Sequence, residues 1–206
     1  GKYAFYNYRL LETVEFSAKD VVVSECAFYG CERLINVKGF ENVKMISDRA
    51  FAKCHNLESL ELSDCIKKIE TLAFSICPSL IDLQLPSTLL EVEESAINEC
   101  SNLRSLSLPF TGSGSDDNYF FGYIFGMNGS TNYDHNADNV PNSLKTVTIT
   151  TATEIHNSAF YNCANIEKII LGENIVKIDF DAFRNCLQLS EIEFNDKIET
   201  ICSGAF

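Results

Sequence analysis

Few residues in this chain are of types that carry chemistry. The stretch "CAFYGC" sets Cys26 and Cys31 five apart, which reads as a redox dithiol or as half of a metal site. Neither reading survives the spacing: no C-x₂-C pair occurs anywhere, and the same words return as "RAFAKCHNLESL", "LAFSICPSLIDL" and "SAFYNCANIEKI". The three histidines, His55, His135 and His156, stand at unrelated points, and no G-x-S-x-G, H-E-x-x-H or P-loop is present. Asp134-x-Asn136-x-Asp138 imitates the opening of a calcium loop, with Asp116 and Asp117 as further oxygens. An EF-hand wants Gly at its sixth position and Glu at its twelfth, and this chain has Asn139 and Lys145 there. No nucleophile, base and orienter can be assembled, so the expectation is a chain that is not an enzyme and holds neither cofactor nor metal.

The elements behind these residues are repeats. Ala-Phe pairs end at Phe5, Phe28, Phe51 and Phe74, with Ile97 as a variant, and again at Phe160, Phe183 and Phe206, each 23 residues after the last except for one gap of 63. Three residues beyond come Cys31, Cys54, Cys77, Cys100, Cys163 and Cys186, with Tyr8 in the first copy. Aliphatic residues follow at six, nine and eleven, as in Leu57, Leu60 and Leu62, and another stands five before, as in Ile46, Ile69 and Ile178. Gly39 is the exception at the eleventh position.

Period-2 alternation in "SLELS" and "DLQLP" predicts short strands with one buried face. A single repeat has nothing to pack against; stacked at the interstrand spacing of about 4.8 Å, some nine would form a parallel sheet over a continuous core about 40 Å long. The fold class is thus a mostly β or α/β solenoid over residues 1–206, with "AFxxC" forming a turn, a short strand or one helical turn opposite the sheet. The six ladder cysteines then occupy one small buried slot per rung as free thiols. Nine cysteines cannot all pair within one chain, which points toward a cytosolic or anaerobic setting.

The signature I…AFxxCxxLxxIxLP in 23-residue register resembles the BspA-type leucine-rich repeats of bacterial surface proteins, found also in some parasitic protozoa. The resemblance covers the chain outside one insertion. It implies a curved solenoid at the cell surface or secreted, with a role in adhesion or host-protein binding, although members share no single ligand.

The insertion, at about 110–141, interrupts an extra rung by about 18 residues, because Leu144, Val147 and Ile149 rejoin the register before Phe160. Such insertions map to loops on one face of a solenoid, often the binding face. Its aromatic run Tyr119, Phe120, Phe121, Tyr123 and Phe125 reads either as a recognition patch or as a substitute rung with Phe125 in the Phe slot; Tyr119 and Tyr133 are the candidates for exposed contact.

Sixteen Lys and Arg against 29 Asp and Glu leave a formal charge of −13, which repels a phosphate backbone and sets nucleic acid aside. No apolar run reaches the roughly 18 residues needed to span a bilayer. By register the outward strand residues run from Thr13 and Glu15 through Lys168 and Ile170 to Glu191 and Glu193, a surface that is polar, hydroxyl-rich in the middle at Ser105, Ser107, Thr146 and Thr148, where Tyr119 and Tyr133 are expected beside them, and acidic at its end. That surface suits a protein or glycan partner, host extracellular molecules included. The competing reading is a spacer array that displays another domain. Because the sequence starts and stops inside rungs, it reads as part of a longer array.

Overall fold

The computed structural model describes residues 1–114, 118–127 and 133–206. Among these, fourteen short strands follow one another: β1 (Thr13–Glu15), β2 (Val21–Val23), β3 (Asn36–Lys38), β4 (Val43–Ile46), β5 (Lys68–Ile69), β6 (Asp82–Gln84), β7 (Glu91–Val92), β8 (Ser105–Leu108), β9 (Thr146–Ile149), β10 (Glu154–Ile155), β11 (Lys168–Leu171), β12 (Lys177–Ile178), β13 (Glu191–Glu193) and β14 (Thr200–Ile201). All pairings are parallel and follow the repeat, as in Thr13↔Asn36, Leu83↔Leu106 and Ile169↔Ile192. The L-x-x-L-x-L segments build a first face, with β6, β8, β9, β11 and β13 in one five-stranded sheet and β1 and β3 in a pair. The aliphatic residue five before each Phe builds a second face, where β2, β4, β5 and β7 form one sheet and β10, β12 and β14 another.

Each rung turns at its Ala-Phe pair, which forms a turn and not a strand or helix. Residues two before and two after the Phe are left-handed in rung after rung, as at Arg49 (φ 52°) and Lys53 (φ 61°). The Phe N–H donates to the Ala carbonyl of the next rung, Phe28 to Ala50 at 2.8 Å and Phe51 to Ala73 at 2.8 Å. The rings therefore stack at the rung spacing: Phe5 on Phe28 at 5.2 Å, Phe28 on Phe51 at 5.2 Å, Phe51 on Phe74 at 5.5 Å. Each such contact adds about 0.5–1.5 kcal/mol to the area it buries.

The cysteine ladder does more than fill space. All nine thiols are free. The Sγ–H of Cys31, Cys54, Cys77, Cys100 and Cys186 donates to the Phe carbonyl 26 residues back, at 3.1–3.3 Å. That carbonyl also accepts the N–H of its own rung's Cys, as Phe28 does from Cys31 at 3.1 Å, so both lone pairs are used inside a dry core. Burial pushes the Cys77 and Cys163 thiols well above their ordinary 9.0, and Cys100 and Cys186 up to about 12. Cys186 is only half-buried, one rung from the end of the stack.

Three expectations need correction. Seven paired strands and the segment Ser59–Leu62 make about eight turns on the first face, not nine. "SLELS" is not a strand, although Leu60 is buried and Ser59 and Glu61 are exposed, as alternation requires. Its neighbour β3 ends at Gly39 (φ 79°), where a 3-10 turn over Phe40–Asn42 swings Phe40 into the core against Phe16 and Phe51. A cleft of about 230 Å³ opens there between β3 and Ser59–Glu61, so the inward residue is moved one place and the ladder is broken beside it.

The third correction concerns the substitute rung. A 3-10 turn over Phe121–Phe125 does fill it, but two phenylalanines share the slot. Ile124 takes the Ala role toward the rung before, accepting the Ile97 N–H at 3.0 Å. Phe121 takes the Phe role toward the rung after, donating to Ala159 at 2.8 Å and lying 4.7 Å from the Phe160 ring. Phe121 and Phe125 are both fully buried.

Candidate partner-binding surfaces

In the five-stranded sheet, Ser105 pairs with Thr146 and Ser107 with Thr148, and the four side chains stand on the outer face in a two-by-two grid. Their inward neighbours Leu106, Leu108, Val147 and Ile149 are buried, so the grid stands on a rigid floor. On one side Ser105 donates to Asp82, next to Gln84. On the other, Lys168 and Ile170 follow, with the Lys168 ammonium turned away to Glu191 at 2.8 Å and to Glu193. The hydrogen bonds it donates to Glu191 and Glu193 hold its pKa above the ordinary value. The grid is therefore a neutral, hydroxylated patch between two edges that each carry net negative charge, Asp82 on one and Glu191 and Glu193 against the single Lys168 on the other.

The two tyrosines do not join it. Tyr119 stacks on His156 at 4.5 Å, beside β10 on the second face. Tyr133, 46% exposed, meets Tyr161 edge-on at 5.0 Å, at the turn that follows Phe160. The insert thus touches two other edges of the solenoid.

The calcium-like triplet has other work. Asn136 is fully buried: its Oδ1 accepts the Gly122 N–H at 2.6 Å, and its Nδ2 donates to Ala159 at 2.8 Å and to Ser158 at 3.2 Å. Gly122 is required beside it, since a Cβ there would lie 1.7 Å from the Asn136 carbonyl. His135 Nδ1 lies 2.8 Å from Asp138. Asp116 and Asp117 fall outside the described residues. Among the described residues no three His, Cys, Asp or Glu side chains gather as a metal site would need.

Sequence reasoning missed three features. The thiol donors were signalled by a slot that selects Cys in six rungs, where a purely apolar slot would accept Ala or Val. The Asn136 staple had no local signal, because a lone Asn in a polar loop looks like any other. The division of the second face into two sheets among the described residues was implicit in a gap that is no multiple of 23.

Parallel sheets on two faces, one rung per 23 residues and an aliphatic ladder define a leucine-rich repeat solenoid. The model of the BspA type leucine rich repeat region matches in six copies over residues 1–124 and 139–206, and the chain belongs to that family. No curated relative matches it. Among solved structures it is similar to a leucine-rich repeat protein from Bacteroides ovatus (22% identity, TM-score 0.48, 100% of this chain and 66% of that one). It is similar also to a T. pallidum leucine-rich repeat protein (22%, TM-score 0.47, 92% and 72%). A third is a leucine rich cell surface protein of Faecalibacterium prausnitzii (20%, TM-score 0.39, 92% and 61%). The chain therefore spans slightly less than two thirds of the first and third of these proteins. Among the described residues no helix is long and apolar enough to cross a membrane.

Proposed function

We propose that this chain is a non-catalytic binding module of a cell-surface or secreted protein, and that its first face engages a protein or glycan partner such as a host extracellular molecule. Family membership supports the surface setting. The observation that carries the reading is the grid of Ser105, Ser107, Thr146 and Thr148 on its buried aliphatic floor. Fixed hydroxyls bond to polar partners without the desolvation cost of charges, and the rigid sheet lowers the ordering cost of contact.

The test is to replace Ser107 and Thr148 together by Lys, confirm an unchanged melting curve, and measure capture of immobilised extracellular-matrix proteins and of a glycan array. Binding should fall about ten-fold or more, the equivalent of about 1.4 kcal/mol. Unchanged capture would move the contact off this face, and no capture by the parent chain would favour the spacer reading.

A further inference from the structure

Along the rim of the first face, where each rung leaves its cysteine turn, the residue seven beyond the Phe position is exposed or half-buried. Up the stack these residues are Glu12, Ile35, Glu58, Ile81, Arg104 and Lys145. The array pairs many of its surface charges between adjacent rungs, as in Arg9 with Glu32 at 3.2 Å, Lys145 with Glu167 at 3.0 Å and Lys168 with Glu191 at 2.8 Å. Glu58 and Arg104 are out of each other's reach. They stand two rungs apart, about 10 Å at the interstrand spacing of about 4.8 Å, with Ile81 in the rung between them. Among the described residues neither side chain makes an ion pair or a hydrogen bond.

Ile81 is 45% exposed. With Pro78 it lines a cleft of about 450 Å³ that Glu58 and Arg104 also line, and Asn102 there donates to the Pro78 carbonyl at 2.9 Å. The cleft has room for about fifteen waters at about 30 Å³ each, enough for several side chains of a partner. An apolar centre thus lies between an anion and a cation, and neither charge has a counter-ion of its own. In a chain with 29 acidic side chains, a guanidinium left without one is the exception.

We propose that this rim is a docking surface for an amphipathic helix of a partner protein, one that presents an acidic, an apolar and a basic residue at i, i+4 and i+7. The proposal rests on reading the chain as a binding module and adds a contact beside the hydroxyl grid. Residues at that spacing share one face of a helix, and seven residues rise about 10.5 Å, which matches two rungs. Along an extended strand, residues on one face are about 6.6 or about 13 Å apart, so an extended segment misses one charge or the other. The helix lies along the stack, across the strands. Its carboxylate faces Arg104, its cation faces Glu58 and its apolar side chain covers Ile81 and Pro78. Covering the apolar centre supplies affinity, and the two charges decide which partner is accepted.

The probe is a capped, alanine-rich helical peptide of about 18 residues with Glu at i, Leu at i+4 and Lys at i+7. In a ¹H–¹⁵N titration of the 206-residue chain it should shift the amides of Glu58, Ile81 and Arg104. A control peptide with the Lys moved to i+9, on the opposite side of the helix, should bind about five-fold or more weaker. Arg104→Glu and Glu58→Lys should each weaken the first peptide by a similar factor with the melting curve unchanged, because both side chains are exposed. The double variant should restore binding, since the exchanged charges accept the same helix in the opposite direction. Ile81→Ser should weaken it without rescue. The titration uses no matrix protein or glycan, so it succeeds or fails independently of the hydroxyl grid. Equal binding of the two peptides, no loss on charge reversal, no recovery in the double variant, or no shift at millimolar peptide would each overturn the proposal.

Discussion

The rungs between Phe28 and Ile97 and the junction between Ile97 and Phe160 meet the same requirement, which is to pair the polar groups of a turn inside an apolar stack. The regular rungs meet it with the repeat itself. A Phe N–H goes to the next Ala, a Phe carbonyl takes one N–H and one S–H, and a ring covers the ring before. At the junction the chain has no Ala-Phe-x-x-Cys to use. One buried side chain, Asn136, spans the gap by bonding to Gly122 on one side and to Ser158 and Ala159 on the other. The load in the first region is spread over many repeated contacts; in the second, one carboxamide adds to the β8–β9 pairing and to the backbone bonds of Ile97 with Ile124 and of Phe121 with Ala159. Repeat arrays take their stability from rung-to-rung interfaces, so loss of that carboxamide weakens the interface in the middle of the stack.

Substitutions that strike the two regions should therefore differ in kind. Leu83, 1% exposed in a regular rung, is held on both sides by rungs that cannot collapse, and Leu83→Ala should cost about 2–5 kcal/mol in one cooperative transition. Outward Gln84→Ala should cost less than about 0.5 kcal/mol. Asn136→Ala leaves a buried N–H and buried carbonyls without their partner, a loss of about 2–4 kcal/mol. It should also split the urea transition in two, with the turns before Ile97 and those after Phe160 unfolding separately. A single unchanged transition for Asn136→Ala would show that the aromatic contacts of Phe121, Phe125 and Phe160 suffice to join the halves.

How much of this could be read beforehand follows the same division. The ladder positions and the register across the insert were legible because they repeat: a slot that holds Leu or Ile in seven rungs cannot be mistaken for a surface position. Leu144, Val147 and Ile149 fell where β9 lies because the period resumes. Features that occur once were not legible. Phe40 displaces its rung's inward residue by one place, and nothing in "KGFEN" distinguishes that from a strand with a glycine in it. The shared Phe slot and the Asn136 staple depend on where a non-repeating loop returns in space. The same is true of Tyr119 and Tyr133, which the sequence places near the hydroxyls and the fold places on two other edges.

The thiol ladder makes the stack sensitive to alkaline pH on both sides of the junction. For Cys77, Cys100 and Cys163 burial raises the folded pKa above the ordinary 9.0 that applies to the unfolded chain. The stabilisation linked to each is fully present below about pH 9 and is lost as pH rises from 9 toward 12, because only the unfolded state releases the proton. Each thiol that stays protonated in the fold should lower stability by about 1.4 kcal/mol per pH unit in that window. Urea melts at pH 7.5, 9.0 and 10.5 should show this slope. The double variant Cys54→Ala, Cys77→Ala should reduce it. Identical slopes in the two proteins would assign the alkaline loss to other groups, the tyrosines and lysines first.

The smallest expected effect is a gain, and it asks whether the repeat is optimal even where it is regular. The position two after each Phe is left-handed in every ordinary rung, filled by Asn7, Gly30, Lys53, Ile76, Glu99, Asn162 and Asn185 at φ between 57° and 69°. L residues carry roughly 1–2 kcal/mol of strain in this conformation, and β-branched ones carry the most; Asn tolerates it because its short polar side chain bonds locally. Ile76, at φ 58° and half-buried, is the β-branched member of the column, in a rung where no other exception calls for it. Replacing it by Asn gives up part of an apolar side chain but relieves the Cβ clash and restores the residue that three other rungs use. Ile76→Asn should therefore stabilise by about 1 kcal/mol and raise Tm by about 2–4 °C. Ile76→Val keeps the branch and should gain nothing. Ile76→Gly relieves the clash but adds freedom to the unfolded chain, so it should fall between the two. If Asn proves no better than Val, the backbone at this column is held by its neighbours so firmly that side-chain type no longer matters, and the regular rungs are rigid through stacking alone.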